Sequence, residues 1–455
     1  MKLVKLSLVA MMAMSTMAYA SSDTLADAFK NGKVNGALKA WYWDRTDEGN
    51  FGGAAQHNEN IFNVGIELGY VSDTFYGFRT GLTFQGSSTP FAEEDAKKLF
   101  TREESGQGAV LSEAYIAYKI GKTDIKIGRQ YITTPLISGN PTRIFRESFE
   151  GATITNMDLP QTTVYADYVQ KFQGRTGDAT SSAVDSYDAP KFAKRIIVAG
   201  AGPEAFEFED AYSLGAVNAS VPNLKLTAQY AKATDVLMST KVGPSGLTAS
   251  GKDDISFYYA EANYVLPVSN FKLNFDANFR GSSAGSNLDA FNIDGHMIGL
   301  RAGFSELYGF GASLAYTTVS DNDDALLGLG NGPSSYTILA IRGPLVFTSF
   351  AGMDCYKIAT TYDFSKIGIT GLTSELAYVN GSQDTPSAAT ISTMANTHAD
   401  IDGYSASLTY AVPALKGLTT QVTYVAFDKE VTNDSTHTAV KKDTDELWVN
   451  VTYKF

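Results

Sequence analysis

The chain closes with Leu447-Trp448-Val449-Asn450-Val451-Thr452-Tyr453-Lys454-Phe455. Leu447, Val449, Val451, Tyr453 and Phe455 take every second position, and Trp448, Asn450, Thr452 and Lys454 fill the gaps. Successive side chains of a strand point to opposite faces, so this segment has one apolar face and one polar face. The alternation recurs upstream. Phe271, Leu273, Phe275, Ala277 and Phe279 oppose Lys272, Asn274, Asp276, Asn278 and Arg280. Phe62, Val64, Ile66, Leu68 and Tyr70 oppose Asn63, Gly65, Glu67 and Gly69; Ile298, Leu300, Ala302 and Phe304 oppose Met297, Gly299, Arg301 and Gly303. A charge on a lipid-facing strand position near the midplane costs about 2–4 kcal/mol. If the greasy faces meet lipid, the charged faces must line water.

Period-2 runs bounded by Gly, Pro, Asn and Asp predict strands at 33–43, 61–70, 75–85, 109–120, 123–132, 149–156, 162–170, 211–220, 224–233, 255–265, 271–280, 294–304, 310–318, 353–362, 372–379, 401–411, 418–428 and 446–455. They number 18, an even count, as a single-chain barrel with both termini on one side requires. Connections alternate between short turns (72–73, 121–122, 158–160, 222–223, 267–270, 413–417) and long segments (44–60, 86–108, 171–210, 319–352, 380–400, 429–445). Short periplasmic turns and long external loops are the asymmetry of a transmembrane antiparallel β-barrel. A soluble sandwich or propeller supplies strands but has no reason to make alternate connections long. The fold expected is all-β.

A terminal strand ending on an aromatic residue looks like that of a bacterial outer-membrane barrel and resembles the signal read by the barrel-assembly machinery, here through Phe455. At the other end, Lys2 and Lys5 precede the apolar run Leu6 to Met17 and then Ala18-Tyr19-Ala20, the pattern of a cleaved signal peptide at 1–20. That run is too short to span as a helix, which needs ~20 residues. The expected organisation is one barrel domain over 21–455. Cleavage removes two lysines and no acid, taking the formal charge from −13 to −15. No other segment approaches a transmembrane helix, and the single cysteine, Cys355, excludes an internal disulfide. Acidic charge without a basic cluster argues against nucleic acid as a partner.

The pore chemistry is expected in the third external segment, Thr133-Thr134-Pro135-Leu136-Ile137-Ser138-Gly139-Asn140-Pro141-Thr142-Arg143-Ile144-Phe145-Arg146-Glu147-Ser148. Two prolines stiffen it, and Arg143 and Arg146 offer planar, permanently charged forks. Facing carboxylates would complete a transverse field that sorts solutes by charge and shape; the plain alternative is an exposed loop with ordinary surface arginines. Arg129 breaks the pattern. It shares parity with Ile125 and Ile127, so either a bulge at Gly128 turns it inward or it lies above the bilayer.

Gly128-Arg129-Gln130, Thr134-Pro135 and the stretch from Arg143 to Gly151 resemble the constriction-loop region of OprD-like outer-membrane porins. The opening from Asp23 to Val34 is similar to the branch that includes the major outer-membrane porins. The resemblance implies an 18-stranded channel, a homotrimer, and passive diffusion of small polar or charged solutes and ions. It places Arg143, Arg146, Glu147 and Arg129 at the constriction, with Arg79, Arg280 and Arg301 as inward strand arginines. Here the acidic residues Glu67, Glu113, Asp276 and Glu375 intermingle with them. With acidic loops at Glu93-Glu94-Asp95 and Asp321-Asn322-Asp323-Asp324, mild cation preference follows.

No cofactor or metal is expected. The oxygen-rich run 321–324 is of a kind that can hold calcium, but it lacks the spacing of a defined calcium loop and reads first as a solvated turn. The apolar stretch Ile338 to Phe350 is expected either to fold into the lumen or to cover a protein contact. A barrel-borne hydrolase needs a nucleophile beside an oriented base, and His57, His296, His398 and His437 are scattered with no such motif. A gated transporter needs a plug before the first strand, for which Ser21 to Gly32 is too short. An adhesin or structural barrel stays open, because long loops also serve adhesion.

Overall fold

The computed structural model describes residues 22–49, 57–177, 188–202, 204–242, 247–340 and 348–455. The expected signal peptide lies outside the described residues. Eighteen strands form the wall: β1 (Lys33–Gly49), β2 (His57–Val71), β3 (Phe78–Ser88), β4 (Gly108–Ile120), β5 (Thr123–Gln130), β6 (Ser148–Asn156), β7 (Thr162–Gln173), β8 (Ala211–Asn218), β9 (Leu224–Val242), β10 (Leu247–Val268), β11 (Phe271–Ala284), β12 (His296–Leu307), β13 (Phe310–Val319), β14 (Met353–Asp363), β15 (Leu372–Gln383), β16 (Thr397–Ala411), β17 (Leu418–Asn433) and β18 (Thr438–Lys454). Each pairs antiparallel with its neighbours in the chain, and β18 pairs with β1, Leu38 opposite Tyr453 and Tyr42 opposite Val449. Phe455 donates its amide to the Gly36 carbonyl at 3.1 Å and accepts the Gly36 amide at 3.0 Å, sealing the ring at its last residue. Closure leaves no open edge, the condition for a sheet to cross lipid. No helix among the described residues is long and apolar enough to cross a membrane.

Every predicted strand has its counterpart, but several run further outward than the alternation indicated. The ladder of β9 reaches Val242, that of β10 starts at Leu247, and β17 and β18 continue to Asn433 and back from Thr438. Above the bilayer both faces of a strand meet water or loops. The apolar half of the alternation is lost there while backbone pairing continues.

The two faces separate by parity. Leu68, Leu300, Ile358, Leu376 and Leu408 are exposed on the outside, where lipid is their only reasonable solvent. Tyr168, Tyr316 and Tyr424 on the same face donate their hydroxyls to Asp210, Asp354 and Asp445, each at 2.8 Å, an aromatic body below and a charged tip above. The apolar core lies inside the external half of the barrel. Leu136, Ile137, Phe149, Phe172, Ile196, Val198, Leu326 and Leu329 are buried together there, so long loops fold inward and fill that end.

Candidate channel constriction

The third external segment, between β5 and β6, is built from two local turns. Thr134 accepts the Ile137 amide on its hydroxyl at 3.2 Å and donates to the Ile137 carbonyl at 3.0 Å. Asn140 Oδ1 accepts the Thr142 amide at 2.8 Å across Pro141. Side chains from distant strands then hold the segment across the lumen. Lys39 of β1 donates to the Ile144 carbonyl at 2.9 Å. Gln229 of β9 accepts the Leu136 amide at 2.9 Å, and Arg280 of β11 donates to the Pro135 carbonyl at 3.1 Å. Contacts to strands this far apart around the ring place the loop inside the channel.

A second strand of chain joins it. The connection between β13 and β14 sends 325–337 into the lumen. Leu329 donates to the Leu136 carbonyl at 2.7 Å and accepts the Ser138 amide at 3.0 Å. Gly328 and Gly330 have φ of 137° and 81°, and a Cβ at Gly330 would lie 2.3 Å from the Ser138 carbonyl oxygen. Only glycine permits that approach. Of the apolar stretch at 338–350, Leu339 packs inward among Ala377, Val379 and Val425, while 341–347 lies outside the described residues.

The four residues expected at the constriction take different places. Arg143 is 4 % exposed. Its Nε meets Glu103 at 2.6 Å and Glu104 at 3.7 Å, and its guanidinium lies 4.7 Å from the Trp43 ring and 5.4 Å from the Trp448 ring, which stack on each other. It faces a loop core, not solvent. Glu147 is buried too. It accepts the amides of Asn140 at 3.0 Å and Asn331 at 3.1 Å and pairs with Arg175 at 3.4 Å, tying three loops together. Arg129 keeps outward parity, since Gly128 opposite Tyr115 and Arg129 opposite Ala114 stay in register; the bulge that would turn it inward does not form. It pairs with Glu150 at 3.0 Å, beside Lys171, and covers the Phe192 ring. One carboxylate, Glu150, shared with Lys171, meets the charge that parity alone leaves unexplained.

Arg146 alone of the four presents charge to the opening. It is partly exposed, lies 3.8 Å over the Tyr131 ring, and makes no ion pair among the described residues. Its neighbourhood contains two cations that the sequence reading did not single out. Lys39 pairs with Glu67 at 3.7 Å and donates to the Ile144 carbonyl of the same loop at 2.9 Å, and Lys126 lies 4.3 Å over the Tyr115 ring. The nearby carboxylate Glu113 accepts from Thr83 at 2.7 Å. Across the ring, Arg301 pairs with Asp276 at 2.9 Å and covers Tyr336, whose hydroxyl donates to Glu261 at 2.7 Å. Glu375 lies on the same inner surface near Lys357. Arg79 pairs with Asp124 at 2.6 Å nearer the short turns, and Arg280 covers Tyr259 at 4.3 Å. Parity with Glu67 would have revealed Lys39. The glycine-rich 328–332 was the available signal for the second loop.

The acidic run at 321–324 is partly a latch. Asp324 is buried, accepts the amides of Ala351 at 2.7 Å and Ser392 at 2.9 Å, and burial pushes its carboxyl up to about 6. Among the described residues no cluster of three or more His, Cys, Asp or Glu is placed to hold a metal. His398 Nδ1 lies 3.4 Å from Thr385 and 3.0 Å from Asp434, and its Nε2 lies 3.9 Å from Asp400.

No curated protein matches the chain. Solved structures do. It is similar to Pseudomonas aeruginosa OpdK, determined with vanillate, at 14% identity and a TM-score of 0.70 over 94% of this chain and 99% of that one. OccK9 (OpdG) of the same organism matches at 16% and 0.70, covering 94% and 100%, and OccK8 (OprE) at 16% and 0.69, covering 94% and 98%. These likenesses establish the fold. The profile of the outer membrane porins of the OprD family matches residues 94–243 and 238–455, most of the described barrel. With a closed 18-stranded wall, lipid outside, and loops folded into a charged lumen, the chain belongs to the OprD family of outer membrane porins.

Proposed function

We propose that the opening bounded by the 131–147 and 325–337 segments is the selectivity filter and that Arg146 is its fixed positive charge. The porin passes small solutes across the bacterial outer membrane. Arg146 is the only guanidinium of the inward loop that is neither buried nor ion-paired among the described residues, and that carries the assignment. Lys39 and Lys126 extend its wall, while Glu67, Glu113, Glu261 and Glu375 mix negative charge into the same lumen. Small solutes carrying both charges, and ions, suit such a field. The acidic external loops enrich cations at the mouth, giving mild overall cation preference.

Reversal potentials in planar bilayers test this. Arg146→Gln is expected to raise cation preference, whereas Arg143→Gln is expected to change it less. An Arg146→Gln channel with wild-type reversal potential and conductance would discard the assignment.

Three further readings stand with it. Residues 1–20 are removed as a signal peptide, which amino-terminal sequencing of the membrane form checks. The porin assembles as a homotrimer, and migration of the native form as a single copy would count against that. The barrel-assembly machinery reads the strand ending at Phe455, so removing Phe455 should lower insertion.

A further inference from the structure

The short-turn end of the barrel differs in chemistry from the loop end. At the loop end, surface cations are matched by carboxylates: Lys171 with Glu150 at 2.6 Å, Lys232 with Asp254 at 2.7 Å and Lys441 with Glu430 at 2.8 Å. At the short-turn end, Lys122, Lys366 and Lys416 are exposed and make no ion pair among the described residues. The acids of those turns accept hydrogen bonds from neutral groups and form no ion pair with these lysines among the described residues. Asp73 accepts from Ser22 at 2.7 Å, Asp158 from Asn156 at 2.6 Å and Asp363 from the Ser365 amide at 2.9 Å. Among the described residues these three lysines stand without an ion pair at this rim, where Lys272 pairs with Glu306 at 2.7 Å.

Each of those lysines has an exposed apolar neighbour: Ile120, Ile367 and Leu415. Two other turns raise a tyrosine at the apex. Tyr76 and Tyr308 are each 75% exposed, have φ of 48° and 50°, and are followed by Gly77 and Gly309 at 85° and 89°. A left-handed position at a two-residue turn ordinarily takes Asn or Gly, and tyrosine there bears a steric cost. The turns come together in space. A Cβ placed on Gly309 would lie 2.7 Å from Lys366 Cγ, so Tyr308, Lys366 and Ile367 share one patch. An apolar side chain beside a free ammonium, continuous with a lipid-covered wall, matches an anionic headgroup above an acyl region.

We propose that the periplasmic turns form a binding rim for anionic phospholipid of the inner leaflet, with Lys122, Lys366 and Lys416 holding phosphate and Ile120, Tyr308, Ile367 and Leu415 anchoring in the acyl boundary. The lysines select charge, and the apolar residues set depth. The rim therefore acts as a collar that fixes the barrel's height in a leaflet of one charge type.

Native mass spectrometry of the full porin in mixed micelles of equal phosphatidylglycerol and phosphatidylethanolamine tests the proposal. The wild type is expected to retain phosphatidylglycerol over phosphatidylethanolamine about tenfold, with the excess lost in high salt. The triple variant Lys122→Gln, Lys366→Gln, Lys416→Gln should bring the ratio close to one with conductance unchanged. The corresponding Lys→Arg triple should keep the preference. Equal retention by the wild type, or a preference that survives the Gln triple, overturns the proposal. So does lysine-dependent sedimentation with purified peptidoglycan sacculi in place of lipid discrimination. Heat-modified gel mobility confirms that each variant is a folded barrel.

Discussion

Gln85 clamps the peptide of Arg146 from both sides: its Oε1 accepts the Arg146 amide at 2.8 Å and its Nε2 donates to the Arg146 carbonyl at 2.9 Å. Gln173 donates to the same carbonyl at 2.9 Å. The wall of the barrel, through β3 and β7, therefore fixes the backbone of Arg146.

Gln85→Ala removes both bonds and leaves a loop peptide half-satisfied, at about 1–3 kcal/mol. The expected result is a noisier open channel with weakened dependence on Arg146. Gln85→Glu keeps the acceptor and loses the donor, so it should fall between. Single-channel noise indistinguishable from wild type in Gln85→Ala would refute the clamp.

Arg143 should matter for stability rather than selectivity. Replacing it with Met leaves Glu103 and Glu104 buried beside one fewer cation, which for a buried pair costs about 3–5 kcal/mol. Proteolysis within 131–147 is expected to accelerate markedly. Arg146→Gln should leave the cleavage rate near wild type. If the two variants are cleaved alike, the division between anchor and filter is wrong.

The loop core should respond to pH. Burial pushes the Glu104 carboxyl up to about 8 against the pull of Arg143, and its Oε1 makes no hydrogen bond among the described residues. A carboxyl raised in the folded state binds a proton that the unfolded chain releases near 4.5. Its contribution is complete below that value and is lost as pH rises through about 8. Asp324 acts with the same sign between 3.8 and about 6. Thermal stability in detergent should fall from pH 5 to pH 9, and Glu104→Gln should flatten the upper part of that slope. A wild-type stability that climbs above pH 7 would contradict this.

Glu147→Ala removes the acceptor shared by the Asn140 and Asn331 amides and the partner of Arg175. The two inward loops should then move apart. Conductance is expected to rise, with substates, while the barrel stays heat-resistant. An unchanged, substate-free conductance would show that other contacts suffice.

The wall was legible because parity has a physical cause. Glu67, Asp276, Arg301 and Glu375 could be placed on the water side from their neighbours alone, since lipid tolerates few charges on the other. Loops have no such solvent boundary. Arg143 and Arg146 are three residues apart and chemically identical, and only the tertiary pairs with Glu103 and Gln85 separate their roles. Arg129 looked anomalous because its compensation, Glu150, sits on another strand. The 325–337 segment was hidden for a similar reason, its burial depending on glycines that accept the backbone of a loop almost two hundred residues earlier in the chain.

Arg143 rests on Trp43 of the first strand and Trp448 of the last, two rings stacked 4.1 Å apart across the closing seam. That platform exists only once the chain's two ends have met. The loop that carries Arg143 can reach this seat no earlier than the moment the cylinder is zipped. A barrel whose seam is still open lacks this seat, so Arg143 settles at closure or after it.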